Sequence, residues 1–247
     1  RRTNLLATEF TDRGIAFLPF NNRGSHLVRR LRGGRRLGGM AFELIRDCVL
    51  DIDGAARFLR RRGFRELFLI GHSTGANKIA VYDQRKARSP FRKYVFLAGG
   101  DDTGLHYQQL GRRKFESALR RARQMLRDRK GDQFVPRSFS SLPMSWRSFY
   151  DMLNPDGDYN VFPFAEFLYE NRLSRRRFRH VSAIRKPSLF VYGENDEYCY
   201  GDVAGCVRIL AEHAGPNAET VVLSGADHGF GGYETELGLL VSEWLLS

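Results

Sequence analysis

The chain has 247 residues, 42% of them hydrophobic, which suffices for one sizeable α/β core. Its formal net charge is +12, and only six of the 40 basic residues are lysines. No stretch approaches the roughly 18 uninterrupted apolar residues of a membrane span, and the N-terminus lacks the order of a secretory signal. The three cysteines Cys48, Cys199 and Cys206 have no metal-type spacing. A reducing cytoplasm is therefore the expectation, with a Cys199–Cys206 pairing left open.

Arg1 to Phe10 reads as a helix. Residues 15–20 (Ile-Ala-Phe-Leu-Pro-Phe) read as a buried strand that ends in the turn cluster Asn21-Asn22-Arg23-Gly24. Residues 43–62 read as an amphipathic helix, with Leu44, Ile45, Cys48, Val49, Ile52, Ala55, Ala56 and Leu59 at three-four spacing and Gly63 as its stop. A short apolar strand over 66–70, a helix over 74–86 and a strand over 94–98 follow, the last stopped by Gly99-Gly100. Strand and helix alternating at this spacing predict right-handed βαβ units and a parallel sheet covered on both faces.

Residues 104–180 depart from that pattern. They carry arginines, scattered aromatics and turn signals such as Asn154-Pro155-Asp156-Gly157, with a basic helix over 111–130 and a shorter one over 163–172. The expected organisation is a core of 1–103 and 181–247, with 104–180 inserted as a helical lid. The alternation resumes with a strand over 188–192, a helix over 202–214, a strand over 220–223 and a closing helix over 233–246. The basic clusters at Arg29–Arg36, Arg112–Lys130 and Arg175–Arg179 read first as solvated faces. No nucleic-acid motif accompanies them.

The chemistry-bearing segment is Gly71-His72-Ser73-Thr74-Gly75, a G-x-S-x-G pattern between a predicted strand and a predicted helix. Such a turn lifts a serine hydroxyl above the C-terminal edge of the sheet. Its sharpness calls for small residues on either side, and the Thr74 N–H opens the helix, where unpaired amides favour an oxyanion. A serine hydroxyl needs a base within hydrogen-bond reach. Of the six histidines, His228 lies in a loop after the last predicted strand, where the order Ser, acid, His requires it. Asp196, just beyond the 188–192 strand, is the candidate acid. Glu194 and Glu197 share its loop, and Asp101 and Asp102, after the 94–98 strand, are the alternative. His72 reads as a packing or hydrogen-bonding residue, Asp227 as a loop-structuring one.

Gly71–Gly75, Gly193-Glu194-Asn195-Asp196 and Asp227-His228-Gly229 together resemble the α/β-hydrolase superfamily. Asn21-Asn22-Arg23-Gly24-Ser25 is similar to the loop after that superfamily's fourth strand. Phe20–Gly24, Tyr82-Asp83-Gln84-Arg85-Lys86 and Leu97–Asp102 resemble a subgroup of uncharacterised hydrolases that includes fungal siderophore esterases. The resemblance implies a mostly parallel sheet with helices on both faces and an esterase-type activity. It also implies that strands one to three, with the loop that normally supplies a second oxyanion donor, are absent here; two expectations stand open, a chain truncated at its N-terminus, or a second donor from elsewhere, with Asn21 or Asn22 as a candidate substitute. The exposed sheet edge then invites a partner subunit, so a homo-oligomer is one expectation.

These readings converge on acyl transfer to Ser73 from a small-molecule ester, with His228 as base, Asp196 as its orienting acid and the Thr74 amide at the oxyanion. No metal or organic cofactor and no nucleic-acid partner is expected. The same triad would serve amide, thioester, lactone or carbon–carbon hydrolysis. A catalytically inactive binding protein and a basic nucleic-acid- or membrane-binding protein are the rivals from other classes.

Overall fold

The computed structural model describes residues 2–31 and 37–247, so Arg1 and Arg32, Arg35 and Arg36 of the first basic cluster lie outside the described residues. In chain order the elements are α1 (Arg2–Thr11), a two-residue ladder of β1 (Arg29–Arg30) and β2 (Leu37–Gly38), α2 (Cys48–Arg61), β3 (Phe68–His72), α3 (Thr74–Arg85) and β4 (Lys93–Leu97). There follow α4 (Asp102–Leu110), α5 (Arg112–Arg127), α6 (Trp146–Leu153) and α7 (Phe164–Leu168), then β5 (Ser188–Asn195), α8 (Val203–His213), β6 (Ala218–Asp227) and α9 (Glu234–Leu246).

Strands β3, β4, β5 and β6 lie side by side in that order, all parallel, as the βαβ alternation predicts. The residue pattern explains why both faces are covered. In β4, Tyr94 and Phe96 point to one face and Val95 and Leu97 to the other; in β5, Phe190 and Tyr192 oppose Leu189 and Val191. A period of two with apolar residues at every position reads as a continuous hydrophobic run, which is stable only between two layers. On the first face pack α2, α3 and α8, through Cys48, Ile52, Ile79, Cys206 and Leu210. On the second pack α1 and α9, through Phe10, Leu237, Val241 and Leu245. Phe96 and Phe190 stack across adjacent strands with ring centroids 4.3 Å apart. The three cysteines are buried free thiols.

Residues 15–20 do not form the expected strand. The segment is irregular, Pro19 lacks a donor, and Ile15 and Phe17 pack into the second apolar cluster beside Phe10. Between this segment and the free edge of β3 lies an apolar cavity of about 360 Å³, lined by Phe17, Ala56, Leu59, Phe68 and Ile70 among others. The segment is thereby held off the edge it would have to pair with.

The expected helix over 43–62 starts later. Met40–Phe42 and Ile45–Asp47 form 3₁₀ turns, and the α-helix begins at Cys48. Between β4 and β5 the chain forms four helices rather than two. Phe115, Ala118, Ala122 and Met125 of α5 interlock with Trp146, Phe149, Met152 and Leu153 of α6 in an apolar cluster of their own. The helix expected over 163–172 shrinks to Phe164–Leu168, and the strand expected over 220–223 extends to Ala218–Asp227, with an irregularity opposite Gly193–Asn195.

Candidate active site

Ser73 sits on the turn from β3 into α3 with φ 56° and ψ −127°, a left-handed backbone that an L-residue adopts only under constraint. The constraint is visible. The Ser73 N–H donates to the Leu97 carbonyl at 2.9 Å, and the Ser73 carbonyl accepts from Ala76 N–H at 2.8 Å. Of the two flanking glycines only Gly71 is sterically required. A Cβ there would run into the backbone of Gly75 and lie 2.9 Å from the Ala76 nitrogen, whereas one at Gly75 meets nothing within 4 Å. The expectation of small residues on both sides thus holds on one side only.

The structure brings Ser73, His228 and Asp196 together from three elements. His228 Nε2 is 3.0 Å from Ser73 Oγ, and His228 Nδ1 is 3.0 Å from both Asp196 carboxylate oxygens. An ionised carboxylate only accepts, so Nδ1 carries the proton that it donates to Asp196. Nε2 is then left as the acceptor for the serine hydroxyl. Asp196 is 3% exposed, held in the loop that ends β5 by Tyr198 N–H at 3.0 Å. His228 follows β6 directly. Its own N–H donates to Glu197 Oε2 at 3.2 Å, its carbonyl meets His72 Nε2 at 2.7 Å, and the Tyr198 ring lies edge-on at 4.5 Å. Burial pulls the His228 pKa down, but the Asp196 hydrogen bond and the charges of Asp196, Glu197 and Asp102 outweigh it, and the net shift is upward.

The other acids have different occupations. Asp101 is buried and accepts from Gly104 N–H and Ala165 N–H, each at 2.8 Å, and from the Tyr200 hydroxyl at 3.0 Å. Burial lifts its pKa to about 7. It ties α4 to α7 and makes no bond to His228. Asp102, the first residue of α4, accepts a long 3.5 Å bond from Asn77. Burial raises it to about 6 against the downward pull of the His228 and Lys78 charges. Glu194 accepts from the Ser224 hydroxyl and Gly225 N–H, and Asp227 accepts from Gly231 N–H.

The Thr74 N–H is the first amide of α3 and has no intrahelical acceptor. Asn21 and Asn22 make no hydrogen bond to Ser73 among the described residues; the buried Asn22 side-chain oxygen has no partner. Two features near the serine had no sequence signal. Tyr159, from the 104–180 stretch, places its hydroxyl beside the Thr74 side chain, and burial holds that phenol far above its usual range. One turn beyond Thr74 on α3, buried Lys78 pairs with Glu43 at 2.7 Å. Among the described residues no cluster of three or more His, Cys, Asp or Glu is disposed to hold a metal ion, and no helix is long and apolar enough to cross a membrane.

A parallel sheet between two helical layers, with a serine on a strained strand-to-helix turn and an acid and a histidine on later strand ends, is the α/β-hydrolase fold. Solved structures share it. A ferulic-acid-bound Est1E from Butyrivibrio proteoclasticus superposes with a TM-score of 0.63 at 14% identity, over 100% of this chain and 82% of that one. An esterase from Exiguobacterium antarcticum gives 0.57 at 13%, over 100% and 87%. The esterase domain of a Rhodothermus marinus protein gives 0.54 at 15%, over 98% and 79%. The chain belongs to the family described as "Protein of unknown function (DUF1749)", whose sequence profile matches residues 43–238. No curated protein matches the sequence.

Proposed function

We propose that this chain is a serine hydrolase that cleaves carboxylic esters through an acyl-enzyme. The single observation that carries the reading is the unbroken hydrogen-bond path from Ser73 Oγ through His228 to buried Asp196, each step 3.0 Å, on a turn strained at the serine. His228 Nε2 takes the Ser73 proton as Oγ attacks the ester carbonyl, and Asp196 stabilises the imidazolium that forms. The Thr74 amide supports the oxyanion; such a donor contributes about 10²–10³ in kcat. His228 then protonates the leaving alcohol, and a water activated by the same nitrogen releases the acid. No step requires a cofactor. The helices of 104–180 serve as a lid over the core formed by 1–103 and 181–247, with Tyr159 facing the elbow from the lid side. Esterases among the structural neighbours support the ester class by likeness of fold alone.

Hydrolysis of short- and medium-chain p-nitrophenyl esters by the parent chain and its Ser73→Ala variant tests the reading. Turnover in the parent that disappears in the variant is the expected result. Folded parent protein with no turnover on any ester would count against it and favour a binding protein of the same fold.

A further inference from the structure

One carboxylate beside the triad is not spent on it. The chain leaves β4 through Leu97, whose carbonyl takes the Ser73 N–H, and turns at Ala98, with φ 48°, and Gly99-Gly100. Buried Asn77, one turn beyond Ser73 on α3, clamps this turn. Its amide donates to the Gly100 carbonyl at 2.8 Å, and its side-chain oxygen accepts from Gly100 N–H at 3.1 Å. The clamp sets Asp102, the first residue of α4, against the first turn of α3. From there its charge and that of His228 act on each other, and Tyr159, beside Thr74, feels it too. Like Ser73, Thr74, Tyr159 and His228, Asp102 is only partly buried and keeps contact with solvent.

The hydrogen-bonding capacity of Asp102 is almost unused. An ionised carboxylate has about four acceptor positions. Among the described residues the one side-chain donor to this carboxylate is the Asn77 amide, at a long 3.5 Å. His228 offers it no proton, because Nδ1 is engaged with Asp196 and Nε2 with Ser73 Oγ. Lys78 is the one permanent cation acting on it, and Lys78 is committed to Glu43 at 2.7 Å. A carboxylate that is largely desolvated and lacks a counter-charge of its own destabilises the empty site, and a bound cation removes that cost.

We propose that Asp102 is a specificity-determining residue that binds a protonated amine on the ester substrate, within a few bonds of the scissile carbonyl. A neutral hydroxyl would fill an acceptor position but leave the charge unpaired. The inference rests on the hydrolase reading for the ester, and its test also reads binding without turnover. A charge-assisted hydrogen bond of this kind discriminates by about tenfold to a hundredfold.

The test pairs amine esters with their carbon isosteres at about pH 7, where an aliphatic amine is protonated and Asp102, raised to about 6, is ionised. β-Alanine ethyl ester is set against ethyl butyrate, and 2-(dimethylamino)ethyl butyrate against 3-methylbutyl butyrate, which places the amine on the acyl or the alcohol side. The parent should prefer the amine member of at least one pair by that factor in kcat/KM, chiefly through KM. Asp102→Asn should bring the preference to within a few fold of unity. NMR titration of the same esters into inactive Ser73→Ala should show the same preference, and the same loss when Asp102→Asn is added. Selective binding without turnover in the parent would sink the hydrolase reading alone. Four results would overturn the proposal: no preference in the parent, which needs no variant; a preference that survives Asp102→Asn in folded protein; an equal loss on both members of a pair; or ethyl 3-hydroxypropanoate favoured as strongly as β-alanine ethyl ester.

Discussion

Replacing Asp196 by asparagine removes one charge and barely changes the side chain's shape, so it isolates what the carboxylate does for His228. In the parent both oxygens lie 3.0 Å from Nδ1 in a site with 3% exposure, where no solvent can substitute for them. The amide of an asparagine would donate to Nδ1 and drive the proton to Nε2. The Nε2 lone pair that faces Ser73 Oγ at 3.0 Å would then be lost. A wrong tautomer of this kind costs about 10⁴ in kcat, or about 5.5 kcal/mol of barrier at 1.36 kcal/mol per decade. The pH profile supplies a second readout. With His228 as the proposed base only its neutral form is active, so kcat/KM should rise as pH passes upward through its pKa, which Asp196 holds above the ordinary value against burial. Without that charge the His228 pKa falls and the acid limb moves to lower pH. Steady-state hydrolysis of a p-nitrophenyl ester between about pH 5 and 9 measures both, with pKa values referenced to the ordinary histidine. An Asp196→Asn variant within tenfold of the parent, with an unmoved limb, would refute the reasoning. A larger loss in Asp102→Asn than in Asp196→Asn would transfer the acid role to the end of β4.

The elbow glycines should separate in thermal denaturation. Gly71→Ala forces a Cβ into the Gly75 backbone and should cost about 2–4 kcal/mol. Gly75→Ala, in open space at the start of α3, should leave stability unchanged or raise it by up to about 1 kcal/mol; equal losses would contradict this reading of the turn. Lys78→Ala leaves Glu43 buried without its counter-charge and should destabilise by about 3–5 kcal/mol, whereas Lys78→Met combined with Glu43→Gln should cost less in urea unfolding. Asp151, which accepts from Ile45 N–H at 2.8 Å, is raised by burial to about 6, above the roughly 3.9 of an unfolded aspartate. Its contribution to stability is complete below that lower value and is lost as pH rises through 6. The parent's advantage over Asp151→Asn in unfolding free energy should accordingly decline between about pH 4 and 6, and a flat difference would contradict the burial argument.

The candidate site was legible where chemistry is written locally. Gly71–Gly75 between two element patterns, Asp196 past a strand and His228 past the last strand follow from short windows and chain order. The geometry then needed only the parallel sheet, which the runs at Leu67–Ile70, Tyr94–Ala98 and Ser188–Tyr192 already implied. What was not legible depends on distance in sequence. Lys78 and Glu43 are 35 residues apart, and Tyr159 reaches Thr74 from a stretch with no clear period. The strand expected over 15–20 failed because an apolar run does not carry its own pairing partner, and the edge of β3 stands across a cavity. Helices α4 and α6 were missed because Asp101 and Ser145, their capping side chains, bond Gly104 N–H and Ser148 N–H at helices of only nine and eight residues, too short for a period to stand out.

The central claim is that Ser73 is a nucleophile activated by His228. Reaction of the folded parent with a fluorophosphonate, followed by peptide mass spectrometry, tests it most directly and needs no knowledge of the natural substrate. A single phosphonyl adduct on Ser73 is expected, greatly slowed in His228→Ala and absent in Ser73→Ala. An unlabelled Ser73 in folded protein, or labelling that is equally fast without His228, would contradict it.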